Sequence, residues 1–338
     1  MRTCFYRVAI VIISIAPLLA AEEKGRVEER KRPEMPEIKK PVLFNSADAD
    51  KVLEAMQVFP ADNPWNEDIS KLPVHPNSKK IIAAIGTDKK LAYNLDMGFV
   101  IVPPDQKKLP IKFTAYAGES DKGPYPVPDN APIEGWPLDG SKLEEKQAAM
   151  EKGDRHVIVV DPVNGKLYEL ATARRTDDGW EAACGAVFDL KSNKLRHDGW
   201  TSADAAGLPI FPAVVRFDEV ERGMVEHAMR FTVPKTRKAY VYPATHFASP
   251  RKDEDLPRMG ERFRLRADFD ETGFSAHAKA ILRGLKKYGM FVADNGGPWR
   301  LSVAPDARIK GLDELRKLKG SDFEVVEPTG PNDGPRKK

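Results

Sequence analysis

The chain has 338 residues, of which 41% are apolar, and this is enough to bury a substantial core. Its 54 basic and 51 acidic residues nearly cancel to a net charge of +3, which argues against a nucleic-acid-binding protein. The 28 prolines and 24 glycines predict many turns, which disfavours a helical bundle and suits a β-rich fold.

The N-terminus has the pattern of a secretory signal peptide. Two arginines precede an apolar run over residues 8–19, and Ala20 and Ala21 supply the small residues of a cleavage site. This run is too short to span a bilayer comfortably, although an uncleaved N-terminal anchor is the alternative. We therefore expect a secreted or periplasmic protein. Once residues 1–20 are removed, Cys184 would be the one remaining thiol, and no intrachain disulfide could form.

Charge and proline content divide the rest of the chain. Residues 21–40 are charged and nearly free of aromatic side chains, which predicts a disordered linker, and residues 327–338 predict a disordered tail for the same reason. Between them, residues 41–326 are expected to form a single β-rich domain. The lysine- and glutamate-rich stretch 141–154 predicts a surface helix and a loop, and it is the candidate boundary between two lobes.

Three more helices are predicted within this domain. The first covers Ser78–Ile85 and stops at a glycine. The second is a single turn over Asp218–Arg222, with Asp218 as its cap. The third begins near Ser275, carries apolar residues on one face and stops at Gly289. The second and the third are expected to pack against the sheet.

Short strands dominate the remaining prediction, because apolar and β-branched runs alternate with turn residues. Turns are predicted at the DPVNG and DNGG sequences that begin at Asp161 and Asp294. The fold class predicted is mainly β, a β-sandwich or jelly-roll-like fold with a few packing helices. The predicted strands are Phe99–Val102, Ile111–Tyr116, His156–Asp161, Gly165–Leu170, Trp180–Phe188, Ala213–Phe217, Val225–Val233, Ala239–Tyr242, Arg262–Ala267, Phe291–Asp294 and Trp299–Val303.

Several segments of the chain carry a family resemblance. They are FPADNPWN, GAVFDLKSN, DGWTSADAAGLPI, HAMRFTVPKTRKAYVYPATHFAS and KKYGMFVADNG. With these segments the chain resembles a family of exported bacterial proteins, and the similarity covers about residues 58–326. The resemblance implies export and one architectural unit, and it carries over no catalytic residue.

The densest group of polar and aromatic residues is the loop predicted over residues 197–207. Its glycines and small residues would let a ligand approach the backbone closely. Trp200 could stack on a sugar ring, Asp198 and Ser202 could hold its hydroxyl groups, and Asp204 could exchange a proton. An ordinary inter-strand loop, in which these residues cap turns, is the alternative.

Two further candidates follow this loop. Glu219 could act as a second carboxylate, although a carboxylate in the first turn of a helix is also favoured by the helix dipole. His227 is predicted to share the inner face of a strand with Met229 and Phe231. It would then be either a core histidine with a satisfied hydrogen bond or part of a site on the sheet.

His246 ends the AYVYPATH segment, in which Tyr240 and Tyr242 are expected to share a face of one strand. Histidine and tyrosine can remove a proton next to a carboxylate, as a polysaccharide lyase requires. Three arginines alternate with apolar residues nearby and could neutralise a uronate, or they could form a solvated sheet face. They are Arg262, Arg264 and Arg266.

Other chemistries have little support in the sequence. The six histidines have no metal-ligand spacing, and neither a GxSxG motif nor a phosphate-binding glycine loop is present. No metal and no cofactor are therefore expected.

Three functions stay open. The first is a secreted glycoside hydrolase with Asp204 and Glu219 as its acid and base. The second is a uronate-specific polysaccharide lyase with His246 or Tyr242 as the base and Arg264 among the neutralising cations. The third is a non-catalytic carbohydrate or cell-envelope binding protein. In each case the expected partner is an extracellular or cell-wall glycan, with no nucleic acid and no membrane span after cleavage.

Overall fold

The computed structural model describes residues 31–330. The predicted signal peptide, residues 21–30 of the predicted linker and residues 331–338 of the predicted tail lie outside the described residues. Within residues 31–330, no helix combines the length and the apolar character that crossing a membrane requires.

Strands make up most of the regular structure of this part of the chain. The strands are β1 (Val42–Leu43), β2 (Ala92–Leu95), β3 (Val100–Ile101), β4 (Ile111–Phe113), β5 (Val157–Asp161), β6 (Lys166–Ala171), β7 (Arg174–Thr176), β8 (Gly179–Ala182), β9 (Cys184–Asp189), β10 (Met229–Val233), β11 (Arg262–Leu265), β12 (Met290–Asn295), β13 (Arg300–Val303) and β14 (Phe323–Val325). The α-helices are α1 (Ala47–Ala55), α2 (Ser78–Ile85), α3 (Leu143–Ala148), α4 (Phe217–Arg222) and α5 (Ala276–Lys287). The predicted class, mainly β with a few packing helices, is confirmed.

The strands form three sheets. The first has the order β1-β3-β5-β6-β9, the second β14-β11-β12-β10-β13-β2 and the third β4-β8-β7. All three are mixed, since β3 runs parallel to β5, β10 to β12, β13 to β2 and β4 to β8. The parallel pairs bring strands together that are far apart along the chain.

The first sheet is covered on both of its faces. Ile158 and Val160 of β5 face the main apolar core, and Val157 and Val159 face a second, smaller core. All five residues of β5 are buried, and its first four residues, which face these two cores, are all apolar. The smaller core also contains Trp180 of the third sheet.

Aromatic rings fill the main core beneath the second sheet. The Trp299 ring stacks on Phe231 at 5.6 Å and on Phe323 at 5.3 Å between ring centroids. Burying such side chains stabilises the fold by roughly 2 kcal/mol each, before packing contributions. No disulfide contributes among the described residues, because Cys184 is a free, buried thiol.

The predicted helices are present. The helix over Ser78–Ile85 has the predicted bounds, and the helix predicted from Ser275 is α5, with Ser275 as its N-cap. Gly289 follows α5 with a φ of +69°, and a Cβ atom there would lie 2.1 Å from the Phe263 carbonyl oxygen. Only glycine therefore fits between α5 and β11. A helix is also found in the 141–154 stretch, as α3.

One helix cap is corrected by the structure. The N-cap of α4 is Arg216, and Asp218 lies inside the helix. The Asp218 carboxylate is 2.8 Å from the Arg222 guanidinium, so it forms an ion pair and does not cap backbone N–H groups. Gly223 ends this helix in the left-handed conformation, as predicted.

Two predicted strands have a different form. The run Trp180–Phe188 is split into β8 and β9, because the Ala183 N–H donates to the Ala171 carbonyl while its own carbonyl accepts from Tyr116. In place of a strand over Ala213–Phe217, a 3-10 helix covers Phe211–Ala213.

Two other predicted strands are shorter than expected. β10 begins at Met229 and not at Val225. The Ala239–Tyr242 segment forms a single bridge, from Tyr240 to Met259. Pro243 follows this segment directly and has no N–H group with which to continue a ladder.

The packed part of the chain begins before the predicted boundary at residue 41. Ile38 is buried in the main core, and the Arg32 Nε donates to the Met56 carbonyl at 2.9 Å. Residues 32–40 have no helix or strand, but these contacts hold them against the body.

Candidate active site

A cavity of about 190 Å³ opens between the first and second sheets. Its wall combines the approach to β5, the end of β6, the start of β9, the 201–205 loop and the end of β12. The lining residues are Tyr116, Asp154, His156, Ala171, Thr172, Ala183, Cys184, Thr201, Ser202, Ala203, Ala205, His246, Ala248 and Asp294. Titratable side chains from distant parts of the sequence thus meet in one depression.

One carboxyl group of this wall, that of Asp294, has a pKa well above its ordinary value. It is half-buried near the end of β12, and its Oδ1 accepts a hydrogen bond from the Asn295 N–H at 2.6 Å. Burial raises the pKa of Asp294 to about 7, with help from the negative charges of Asp204 and Asp154 and against the effect of Arg230. A carboxyl group with this pKa holds a proton part of the time at neutral pH, so it can act as an acid.

Asp154 supplies a second carboxylate to the same cavity and is exposed to solvent. Its carbonyl accepts a hydrogen bond from the Thr172 N–H at 2.5 Å. The neighbouring Arg155 has a φ of +43° and Thr172 a φ of +52°, which side-chain-bearing residues rarely adopt. Such strain persists only where surrounding contacts enforce it, and it is concentrated at functional sites.

Arg155 shows how this strained backbone is fixed. Its Nε donates to the Ala173 carbonyl at 3.0 Å, and its Nη2 donates to the Lys146 carbonyl in α3 at 2.7 Å. The side chain is buried by these contacts. The backbone that carries Asp154 is therefore held on two sides.

His246 contributes a base to the cavity. Its Nδ1 lies 2.8 Å from the Ala205 carbonyl oxygen. Because a carbonyl oxygen can only accept, Nδ1 carries the proton and the lone pair of the neutral ring is on Nε2. The ring also stacks on Phe247, with 5.7 Å between centroids and 4° between planes.

The 197–207 loop is held rigidly against the segment that carries His246. Gly207 has a φ of +72°, and a Cβ atom there would lie 2.0 Å from the Thr245 Oγ1. Thr245 donates through Oγ1 to the Trp200 carbonyl at 2.8 Å and through its backbone to Ala206 at 3.0 Å. The loop and the histidine thus form one unit.

An ion pair in the wall of the cavity holds the 201–205 loop in place. His156 lies with Nδ1 3.0 Å from Glu134 Oε2 and with Nε2 2.8 Å from the Ala203 carbonyl oxygen. Burial alone would lower the pKa of His156, but the Glu134 carboxylate raises it to about 9. The charged ring therefore donates to both partners and fixes the loop carbonyl in place.

Asp204, one of the two carboxylates predicted to be catalytic, lies beneath this cavity and is not among its lining residues. Its carboxylate binds Arg230 through contacts of 3.1 and 3.3 Å, and Arg230 also donates to Ser302. Burial raises the pKa of Asp204, while Arg230 opposes that effect. Its charge acts on Asp294.

Glu219 and His227 contact each other, at 2.9 Å between Oε2 and Nε2. Glu219 also pairs with Arg216 at 3.0 Å, and the His227 Nδ1 bonds the Ala228 carbonyl. Burial alone would raise the pKa of Glu219, but Arg216 and His227 lower it to about 2. Glu219 and Asp204 therefore belong to separate ion pairs, Glu219 with Arg216 and Asp204 with Arg230.

The predicted binding residues do not all line the same cavity. Ser202 lines the cavity, and its hydroxyl donates to the Leu208 carbonyl at 2.6 Å. Trp200 lines a neighbouring groove. Tyr240 is buried and donates to Asp198 at 2.7 Å, so its ring is not available as a sugar platform, and Tyr242 is half-buried.

The three arginines predicted as a cationic row are already paired. Arg262 and Arg264 are buried, with Glu67 at 2.9 Å and Glu324 at 2.7 Å respectively. Arg266 is exposed and pairs with Asp268. None of the three is among the residues that line the cavity with His246.

Sequence reasoning passed over Asp154 and Asp294. Asp294 is the first residue of a DNGG turn signal, and the clue to its role was an acidic residue at the end of an apolar strand. Asp154 follows a run of charged surface residues and has no local signal. His156 was predicted only as the first residue of a strand, and its partner Glu134 gives no motif.

The described residues contain no group of three or more His, Cys, Asp or Glu side chains that could hold a metal ion. No protein-family model, curated protein or solved structure matches the chain. The chemistry of the cavity is therefore the basis for a functional assignment.

Proposed function

We propose that this chain is an exported, glycan-active hydrolase and that the cavity lined by Asp294, Asp154 and His246 is its active site. The observation that carries the proposal is the position and pKa of Asp294. This carboxyl group is half-buried, has a pKa of about 7 and lines an open cavity that also holds a second carboxylate. A pair of carboxyl groups, one of which donates a proton, is the usual machinery of glycoside hydrolysis.

The roles follow from these surroundings. Asp294 donates its proton to the glycosidic oxygen as the bond to the anomeric carbon breaks. The Asp154 carboxylate stabilises the positive charge that develops on the sugar. It either takes a proton from the water that attacks the anomeric carbon, or it bonds to that carbon itself and forms an ester that water then hydrolyses. His246 accepts a hydrogen bond from a sugar hydroxyl through Nε2. Tyr116, with 52% of its surface exposed, offers an aromatic face to a sugar ring.

The proposal keeps the glycan hydrolase expected from the sequence but changes its carboxylates. Asp204 and Glu219 are buried in ion pairs, where a proton exchange with substrate would break a paired charge. In this account Asp204 acts indirectly, by raising the pKa of Asp294.

The test is release of reducing ends from a panel of plant, algal and bacterial polysaccharides. We expect activity on at least one of them, and a loss of about a hundredfold or more in Asp294→Asn and Asp154→Asn. Asp177→Asn, which changes an exposed carboxylate in the turn between β7 and β8, is the matched control and should retain full activity. Full activity in Asp294→Asn would contradict the proposal.

A lyase is the second candidate, because His246 lies in the same cavity and its Nε2 can take a proton. Elimination would release unsaturated, ultraviolet-absorbing sugars in place of hydrolysis products. In that case His246→Gln would abolish the reaction and Asp294→Asn would spare it. A protein that binds a glycan and releases no product from it would favour the carbohydrate-binding alternative.

A further inference from the structure

A groove of about 270 Å³ lies beside the cavity, on the other side of the same loop. We refer to it as the Trp200 groove. Its lining residues are Asp121, Lys166, Val187, Phe188, Asp189, Lys194, Leu195, Arg196, His197 and Trp200. Basic, aromatic and acidic side chains are thus mixed in one site of ligand size.

The charges of this groove do not cancel. Arg196 pairs with Asp121 at 2.5 Å, and Lys166 pairs with Asp189 at 3.0 Å. Lys194 is exposed on the rim and is the third cation of the lining. Three cations against two carboxylates leave the groove with a net positive charge, which favours an anionic ligand.

The groove also has an aromatic face. Trp200 is half-buried and His197 is exposed, and their rings lie 4.7 Å apart. The Arg196 guanidinium lies 5.7 Å from the Trp200 ring centroid and holds the ring from one side. A fixed indole beside a cation suits a sugar ring that bears a negative group.

One short segment joins the groove to the cavity. Trp200 lines the groove, and the next residue, Thr201, lines the cavity. Arg196 Nε donates to the Thr201 carbonyl at 2.8 Å, and the Thr201 N–H donates to Glu119 Oε2 at 2.9 Å. The Trp200–Thr201 segment, held by these two hydrogen bonds, is thus the border that the groove and the cavity share.

We infer that the Trp200 groove is a subsite for a uronate residue, with the sugar ring on Trp200 and the carboxylate at Lys194. The substrate class is accordingly an acidic polysaccharide. This inference rests on the proposed function for its link to cleavage, but binding in the groove can be measured without cleavage.

The experiment measures binding to the full-length Asp294→Asn protein by calorimetry. The probes are oligosaccharides of polygalacturonate and of alginate, polygalacturonate oligosaccharides after reduction of their carboxyl groups, and dextran sulfate. We expect a uronate probe to bind, and carboxyl reduction to weaken binding about tenfold or more. Lys194→Glu should weaken uronate binding by about tenfold and leave the reduced probe unaffected.

Lys71→Glu is the matched control, since Lys71 is exposed and lies outside the groove. The inference would be overturned if Lys194→Glu and Lys71→Glu changed uronate binding equally, or if the reduced probe bound as tightly as the uronate probe. It would also be overturned if dextran sulfate bound more tightly than the uronate probes, or if no uronate probe bound. The experiments can contradict the hydrolase and the uronate subsite independently of each other. Uronate binding through Lys194 without hydrolysis by the wild type overturns only the hydrolase, and hydrolysis with an unchanged KM in Lys194→Glu overturns only the subsite.

Discussion

Burial raises the pKa of several carboxyl groups in the described chain, but only some of these groups can meet a substrate. Asp96, Glu169 and Asp294 each have a pKa raised to about 7, and burial is the largest cause for all three. Glu169 accepts hydrogen bonds from the backbone of Ile210 and Phe211, which gives it a structural role. Asp294 lines the cavity, so its proton can reach a substrate.

The acidity of Asp294 predicts the pH dependence of the reaction. An acid catalyst must be protonated, so kcat/KM should be highest below pH 7 and fall about tenfold per pH unit above it. Asp204→Asn removes a negative charge that raises this pKa, so it should move the basic limb of the profile to lower pH. A pH profile of wild type and variant measures both effects. A limb near pH 9, or one unmoved by the variant, would contradict this assignment.

His156 makes a separate prediction about stability. Its folded-state pKa of about 9 exceeds the ordinary value of 6.5, so its charge stabilises the fold fully below pH 6.5, and this contribution is lost as the pH rises through 9. His156→Gln should reduce the free energy of unfolding by about 3 kcal/mol at pH 6 and by less at pH 9. Urea denaturation at both pH values tests this, with His75→Gln as the control. A deficit of the same size at both would show that the ion pair is not its cause.

At the scale of elements, the sequence correctly predicted those helices and turns whose bounds depend on neighbouring residues. The apolar stripe and Gly289 specify α5, and the DPVNG turn specifies the hairpin of β5 and β6. The split at Ala183 could not be predicted, because its backbone bonds go to Ala171 and Tyr116, which belong to other parts of the fold. The 3-10 helix at Phe211 could not be predicted either, because the Phe211 N–H donates to the carboxylate of Glu169, which is distant in the sequence.

Glu219 is expected to stabilise the connection between α4 and β10. Glu219 holds Arg216 and His227 together there, so Glu219→Gln leaves the buried Arg216 without its closest partner. We expect a loss of about 3 kcal/mol in the free energy of unfolding. The kcat of the folded fraction should not change.

Glu221→Gln changes an exposed carboxylate of the same helix and should alter stability by less than about 0.5 kcal/mol. Thermal denaturation and initial rates measure the two effects. A hundredfold loss of kcat in a stably folded Glu219→Gln protein would return Glu219 to the active site.

At the scale of the whole molecule, the site is a product of long-range contacts. Tyr116, Asp154 and His246 belong to three different connections, and Asp294 lies near the end of β12. They become neighbours only when the first and second sheets pack together. A single sequence identified His246 and the 197–207 loop as candidates from their composition. It could not show that Asp204 would be covered, because its partner Arg230 lies on β10, far from this loop in the sequence.

The most direct test of the account is the mass of the products formed from a purified oligosaccharide that the wild type consumes. Hydrolysis adds one water to each cleaved bond, and that water should be labelled when the reaction is run in ¹⁸O-water. We predict labelled, saturated products from the wild type and from Asp177→Asn, and at most trace amounts from Asp294→Asn. Unsaturated products without label, or undiminished product formation by Asp294→Asn, would contradict the account.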